Sequence, residues 1–179
     1  LRETMDFIKE RCKSAVYSIP LEYWEDLIEN IITKDKVFIY GSGRSGLIGQ
    51  LFAVRLVQIG LKVHFVGDMA TPIIGKGDLT LLISNTGKTV SVVKTAEIAK
   101  RIGSCVISVT AAPESKLAQV SDLVVPIQTV TDSKSSELAP LGTIFEDTVL
   151  FFFDCLVPEI MKRLNVSESD MRKRHAIWV

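Results

Sequence analysis

Apolar residues recur along this chain with two periods. Over residues 3–17 they fall at Met5, Ile8, Cys12, Ala15 and Val16, and over 21–33 at Trp24, Leu27, Ile28, Ile31 and Ile32. Spacings of three and four predict two amphipathic helices, separated at Pro20. Their apolar faces are wide, so they are expected to pack on the domain or on a partner subunit. Five short apolar runs follow, at 36–40, 62–66, 79–83, 105–110 and 123–126. Continuous apolar runs of this length read as buried strands. Pro126 puts the last at a sheet edge or strand end. Between the strands, helical spacing covers 47–59, ended by Gly60, then 90–101 and a short stretch at 115–120. Residues 68–77 and 129–142 lack periodicity and read as loops. A long helix is predicted over 143–164, with Pro158 expected to kink or break it. A last short helix spans 167–174, where Ser167 and Asp170 have capping-box spacing. A tail, 175–179, follows.

Strands alternating with helices predict an α/β fold with a doubly wound, five-stranded parallel sheet between helices, a Rossmann-like three-layer sandwich. No repeat, linker or low-complexity segment interrupts the pattern, so 1–179 is read as one domain. Such sheets bind ligands beyond the carboxyl ends of their strands, where the strand order reverses. Two loops rich in Gly, Ser and Thr fall at such ends, at 41–46 and 84–89.

Composition narrows the chemistry. Net charge is zero, which gives no support to a nucleic-acid partner. Only 2 His are present, which speaks against a His-rich metal site. The 3 Cys, at positions 12, 105 and 155, are far apart and form no C-x-x-C. They are expected to be free, mostly buried thiols of a reducing, cytoplasmic compartment. No signal peptide is visible, and the apolar stretch 148–157 is interrupted by Asp154 and too short to span a membrane. The first residue is Leu1, so the natural start is expected to be trimmed or upstream.

The loop Ser84-Asn85-Thr86-Gly87-Lys88-Thr89 sits between a strand and a helix. A helix N-terminus offers unpaired N–H groups and the positive end of its dipole. Ser84, Thr86 and Thr89 add hydroxyls, and Gly87 permits close backbone approach. The loop therefore reads as a phosphate site, or else as an ordinary N-cap with a polar turn. Its Gly87-Lys88-Thr89 ending resembles a Walker A loop, but Leu82 stands where the first glycine belongs. Gly41, Gly43 and Gly46 match G-x-G-x-x-G after a strand, with Asp68 near the acidic position of a dinucleotide site. The competing readings are NAD binding and a tight turn. Arg44, beside Ser45, suits a phosphate or sugar hydroxyls, or is a plain surface arginine. Thr143 and Glu146 have capping-box spacing at the start of the long helix; the alternative is that Glu146 points into a site as a general base. His175 reads as a surface tail residue or as an acid/base group.

These loops resemble the sugar isomerase (SIS) domain family, which binds phosphosugars. Within it, Phe65-Val66-Gly67, Thr71-Pro72, Gly77-Asp78-Leu79, the stretch 140–146 and Arg174-His175 resemble the 6-phospho-3-hexuloisomerases nearly end to end. Asn85-Thr86 stands where relatives often have Gly-Ser, and Lys88 replaces an acidic or Arg residue. The resemblance implies interconversion of D-arabino-3-hexulose 6-phosphate and fructose 6-phosphate in the ribulose monophosphate pathway, without metal or organic cofactor. It implies Glu146 and His175 as catalytic groups and Gly43, Arg44, Ser45, Ser84, Asn85, Thr86 and Thr89 as substrate and phosphate binders. It also implies a homotetramer with sites near subunit contacts. The alternatives are an aldose–ketose isomerase of the same fold, such as one acting on arabinose 5-phosphate, or a non-catalytic phosphosugar-sensing module.

Overall fold

The computed structural model describes residues 1–175; the tail beyond His175 lies outside the described residues. The helices α1 (Arg2–Tyr17) and α2 (Leu21–Thr33) lead into β1 (Val37–Gly41), α3 (Arg44–Ile59), β2 (Val63–Phe65) and β3 (Leu79–Ile83). Then come α4 (Val90–Ile102), β4 (Cys105–Thr110), α5 (Lys116–Val120), β5 (Leu123–Pro126), α6 (Ser133–Leu138), α7 (Thr143–Arg163) and α8 (Glu168–Lys173). The sheet is five-stranded and parallel throughout, in the order β2-β1-β3-β4-β5. Pro126 closes the edge strand β5, where its missing N–H breaks no ladder between inner strands.

Three layers result. One face of the sheet is covered by α2, α3 and α7, whose Leu27, Ile31, Phe52, Leu56, Phe145 and Phe152 join the strands in a single core. Aromatic packing locks these helices together: Phe52 stacks on Phe153 at 4.2 Å, and Trp24 meets Phe152 edge-on at 4.6 Å. The other face, with Leu82 and Val106, is covered by α4 and α5 through Val92, Ala96 and Leu117. The opening helices pack on their own chain. Cys12 and Ala15 of α1 are buried, with the Cys12 thiol 3.9 Å from the Ile144 carbonyl oxygen. Glycine ends both α3 and α4: Gly60 and Gly103 adopt the left-handed conformation that helix C-caps favour.

Several expectations are corrected. Pro158 does not break the long helix; α7 runs through it to Arg163, held on the core by Phe153, Leu156, Val157 and Ile160. All three cysteines are free, but only Cys12 is buried, and Cys155 is exposed. Burial pushes the Cys12 and Cys105 thiols up from their ordinary value. The expected loop 129–142 contains α6. This helix is too short to show a period; Asp132 fixes it by accepting the Ser135 N–H at 2.7 Å. Arg11 of α1 pairs with the same carboxylate at 2.5 Å, and Lys134 reaches Glu3 at 2.9 Å. Among the described residues, no helix is long and apolar enough to cross a membrane.

The Ser135 amide and hydroxyl, and then Arg11, hold the Asp132 carboxyl below the ordinary carboxylate range. A lowered folded-state pKa favours the capped helix above the unfolded value near 3.8, and that contribution is lost as pH falls through the lower folded value. Amide exchange at Ser135 and Ser136, corrected for intrinsic rates, is therefore expected to accelerate below about pH 4. Asp132→Ala should give the same loosening at neutral pH. Unchanged protection in both experiments would show that the cap does not hold α6.

Candidate functional site

β1 and β3 end level with one another: Gly41 pairs with Ile83. The chain runs from β1 outward to β2 and then returns to β3 on the other side, so the strand order reverses between β1 and β3. That is the switch point at which such sheets bind ligands. Both glycine-containing loops leave the sheet here, side by side.

The first loop is shorter than its sequence suggests, because α3 already begins at Arg44. Gly43 is its N-cap at φ +59, with open space where a side chain would be. Gly41 and Gly46 pack backbone against backbone; a Cβ on Gly46 would lie 2.5 Å from the Gly41 carbonyl oxygen. Packing thus accounts for the G-x-G-x-x-G spacing without a dinucleotide, and Asp68 is exposed in the turn after β2. Ser45 is buried in the first turn of α3.

In the second loop Ser84 is buried. Its Oγ accepts the Gly87 N–H at 3.1 Å and lies 3.4 Å from the Thr89 Oγ1. Ser84 therefore shapes the loop as an acceptor and keeps its own hydroxyl proton to donate, to Thr89 or to another acceptor. The Asn85 carbonyl accepts from the Ala111 N–H at 3.1 Å and the Thr110 hydroxyl at 3.2 Å, which ties the loop to the end of β4. Thr86 Oγ1 accepts from the Lys88 N–H at 3.3 Å. Thr89 is the N-cap of α4, yet its side chain makes no capping bond. The first-turn N–H groups of α4 are thus left by the cap for another acceptor, and an anion suits them in charge and direction. An ordinary capped turn would have used that hydroxyl.

The start of α7 supplies the carboxylate. Thr143 does not cap it. Gly142, at φ +87, is the N-cap, and the Thr143 hydroxyl donates to the Pro140 carbonyl at 2.7 Å. This puts Glu146 one position deeper than a capping box requires. Its backbone N–H bonds to the Gly142 carbonyl oxygen, and its side chain turns to Arg44, whose Nε donates to Glu146 Oε2 at 2.5 Å. The carboxylate is buried while the guanidinium is 60% exposed. Pairing with Glu146 raises the Arg44 pKa further. The Asn85 amide closes in as well: a Cβ on Gly142 would stand 2.8 Å from its Nδ2. Arg44, Asn85 and Glu146 therefore meet at the switch point, beside a cavity of about 290 Å³ lined by Asn85, Thr131, Ser136, Leu141 and Ile144.

His175 is not brought to this cluster within the chain. Arg174 donates to the carbonyl oxygens of Gln58 and Ile59, at the far end of α3 from Arg44. A helix of 16 residues is about 24 Å long. His175 instead lines a larger cavity, about 620 Å³, with Val54, Val57, Phe65 and Asp68. Two neighbours were not singled out in the sequence. Asp147 lies 4.0 Å from Arg44, and burial pushes its carboxyl up against the opposing pull of that arginine. Ser115 walls the Gly87 turn. Only the adjacency of Asp147 to Glu146 was visible in the sequence. Among the described residues, no group of three His, Cys, Asp or Glu side chains is placed to hold a metal ion.

Gly87 is the residue on which the second loop depends. Its φ is +59, and a Cβ there would sit 1.9 Å from the Ser115 Oγ. Gly87→Ala is expected to lower stability by about 1–3 kcal/mol through overpacking, on top of the backbone strain. Urea unfolding measures it, and a midpoint equal to wild type would mean that the turn is not constrained as described.

Known proteins resemble this chain over nearly its whole length. The SIS domain model matches residues 30–151, a span that contains both loops and Glu146. A Methanocaldococcus jannaschii protein named 3-hexulose-6-phosphate isomerase is 44% identical over 84% of this chain and 81% of its own. A Bacillus subtilis protein of the same name is 32% identical over 96% of this chain and 94% of its own. A crystal structure of a Methanococcus jannaschii protein, for which a molecular function of 3-hexulose-6-phosphate isomerase was inferred, superposes with a TM-score of 0.89 at 37% identity, covering all of both chains. With the parallel sheet, the two switch-point loops and the Glu146 helix all within this likeness, the chain belongs to the SIS domain family.

Proposed function

We propose that this protein is an isomerase that interconverts D-arabino-3-hexulose 6-phosphate and fructose 6-phosphate through a 2,3-enediol. The observation that carries the reading is the buried Glu146 carboxylate facing Arg44 at the switch point, next to the N-terminus of α4. Relatives named for this reaction, at 32–44% identity, add support. The phosphate binds at the 84–89 loop and the first amides of α4, with Thr86 and Thr89 as side-chain donors. Glu146 removes the proton on C2 of the 3-ketose and returns one to C3. Arg44 and the Asn85 amide stabilise the oxyanion of the enediolate. The 3-ketose binds open, because O6 carries phosphate and attack by O5 would close a four-membered ring. Fructose 6-phosphate is mostly cyclic, so the reverse direction needs an acid/base group to open the ring, and His175 is assigned to it.

His175 reaches the site from a partner subunit in this reading. The outer face of α3 carries Leu47, Leu51 and Val54, all exposed, in line with Arg44 at helical spacing. A two-fold axis near the middle of this stripe sets two α3 helices antiparallel. The Arg44 end of one then meets the Ile59 end of the other, where Arg174 anchors His175. A tetramer with sites at subunit contacts is consistent with this pairing.

Two measurements test the reading. Incubation with fructose 6-phosphate in heavy water, followed by NMR, is expected to place deuterium at C3 as a 3-ketose appears. Glu146→Gln should lower turnover by about 10²–10⁴-fold. Deuterium at C1 would point to an aldose–ketose isomerase instead, and near-normal turnover in the variant would remove Glu146 as the base. For the shared site, Glu146→Gln and His175→Asn chains are each purified, mixed and reassembled. Random two-fold pairing gives half mixed dimers, each with one intact site, so roughly a quarter of wild-type activity should return. No recovery would place His175 outside the partner's site.

A further inference from the structure

Arg44 and Glu146 occupy one another when the site is empty. The Arg44 Nε donates to Glu146 Oε2 at 2.5 Å, and a second guanidinium nitrogen lies 4.0 Å from Asp147. That contact engages one of the two oxygens through which Glu146 can act as a base, and an ion pair favours a charged carboxylate over a protonated one. It also engages the exposed guanidinium that stands beside Glu146 at the switch point. The two partners differ in exposure, 60% for the arginine and 9% for the carboxylate. An ion pair with one well-solvated member is weak and easily exchanged. The guanidinium presents five donors in a planar fork, and a phosphate or an enediolate offers it a bidentate partner. Gly43, just before Arg44, has open space where a side chain would stand.

We infer that Arg44 is a substrate-displaced latch on Glu146. In the empty site the guanidinium holds the carboxylate. When an anionic phosphosugar enters, Arg44 transfers to the ligand and Glu146 is released to act on carbon. Arg44 is thus a positioning residue for Glu146 as well as a ligand donor. The protein couples the two events through a single side chain: ligand binding must break the latch, and the latch opposes binding. The inference rests on the phosphosugar reading.

The consequence is contrary to what loss of a site residue normally does. Glu146→Gln removes the competitor for Arg44, so it should bind ligand more tightly than wild type while turning over poorly. Calorimetric titration with fructose 6-phosphate, at fixed ionic strength, is expected to show about two- to fivefold tighter binding in Glu146→Gln, whereas inorganic phosphate, which the 84–89 loop takes, should bind both proteins alike. Arg44→Gln should weaken binding by about tenfold or more. Adding Glu146→Gln to Arg44→Gln should then change nothing, because the latch is already gone. If the tightening persists without Arg44, it reflects plain repulsion between a carboxylate and an anion, and the latch is overturned. If wild type binds ligand but Glu146→Gln binds no tighter, the latch alone fails. If wild type binds neither ligand, the phosphosugar reading fails with it. Should Glu146→Gln fold poorly, wild type labelled with ¹⁵N-arginine gives an independent readout. The Arg44 Nε–H resonance is expected to shift on ligand addition, and a resonance that does not move would overturn the latch.

Discussion

β1 and β3 run parallel with Gly41 opposite Ile83, and the position of everything else in the site follows from that register. Two neighbouring strands that end level deliver two loops to the same place. Because the chain leaves β1 for β2 before returning to β3, the helices that follow the two strands lie on opposite faces of the sheet. Their N-termini splay apart and open the crevice between the loops. A one-residue slip would turn every buried side chain of β3 to the wrong face and would also offset the loops. Leu79 to Ile83 are all buried, their apolar side chains packed into one core or the other, which holds β3 in place between them.

The helix α7 closes the third side. It is the most deeply embedded helix, with Phe145, Val149, Phe152, Phe153 and Leu156 in the main core. A rigid element of this kind is a good mount for a functional side chain, since its position is set by many contacts at once. Glu146 sits at the end that emerges beside Asn85. The two left-handed residues before it, Leu141 and Gly142, turn the chain sharply into the helix and free Glu146 from capping. Local strain at the entry thus serves the placement of one carboxylate. The α6 segment and its ties to α1 form the outer wall of the adjoining cavity, which links the opening helices to the site.

The glycines show why motif and mechanism should be kept apart. In the first loop, Gly41 and Gly46 let strand and helix backbones touch, and only Gly43 needs its positive φ. A dinucleotide site would use the same three positions in much the same way, so the spacing alone could not separate them. In the second loop Gly87 has both constraints, a positive φ and a neighbour, Ser115, that leaves no room for a side chain. Ser115 in turn caps α5 by accepting the Ala118 N–H at 3.4 Å. The loop that leads into α4 is therefore braced by the next crossover of the sheet.

The sequence by itself determined the order of every element but α6, the parallel sheet, both loops and the residue types they present. These depend on periodicity and on local backbone chemistry, which act over a few residues. It could not decide whether Glu146 closes a capping box with Thr143 or turns into a site, because the same spacing serves both. The tertiary structure decided that, since Glu146 finds Arg44 only when α3 and α7 pack side by side. It also buried Ser45 and Ser84, which a count of hydroxyls cannot foresee. The helix α6 was invisible because six residues carry no period, and its hold comes from Asp132 and from Arg11, far away in the chain. His175 is the clearest case: the sequence offers an acid/base side chain, while the fold anchors it at the other end of α3 from Glu146, because Arg174 bonds to carbonyls that only that helix end leaves free.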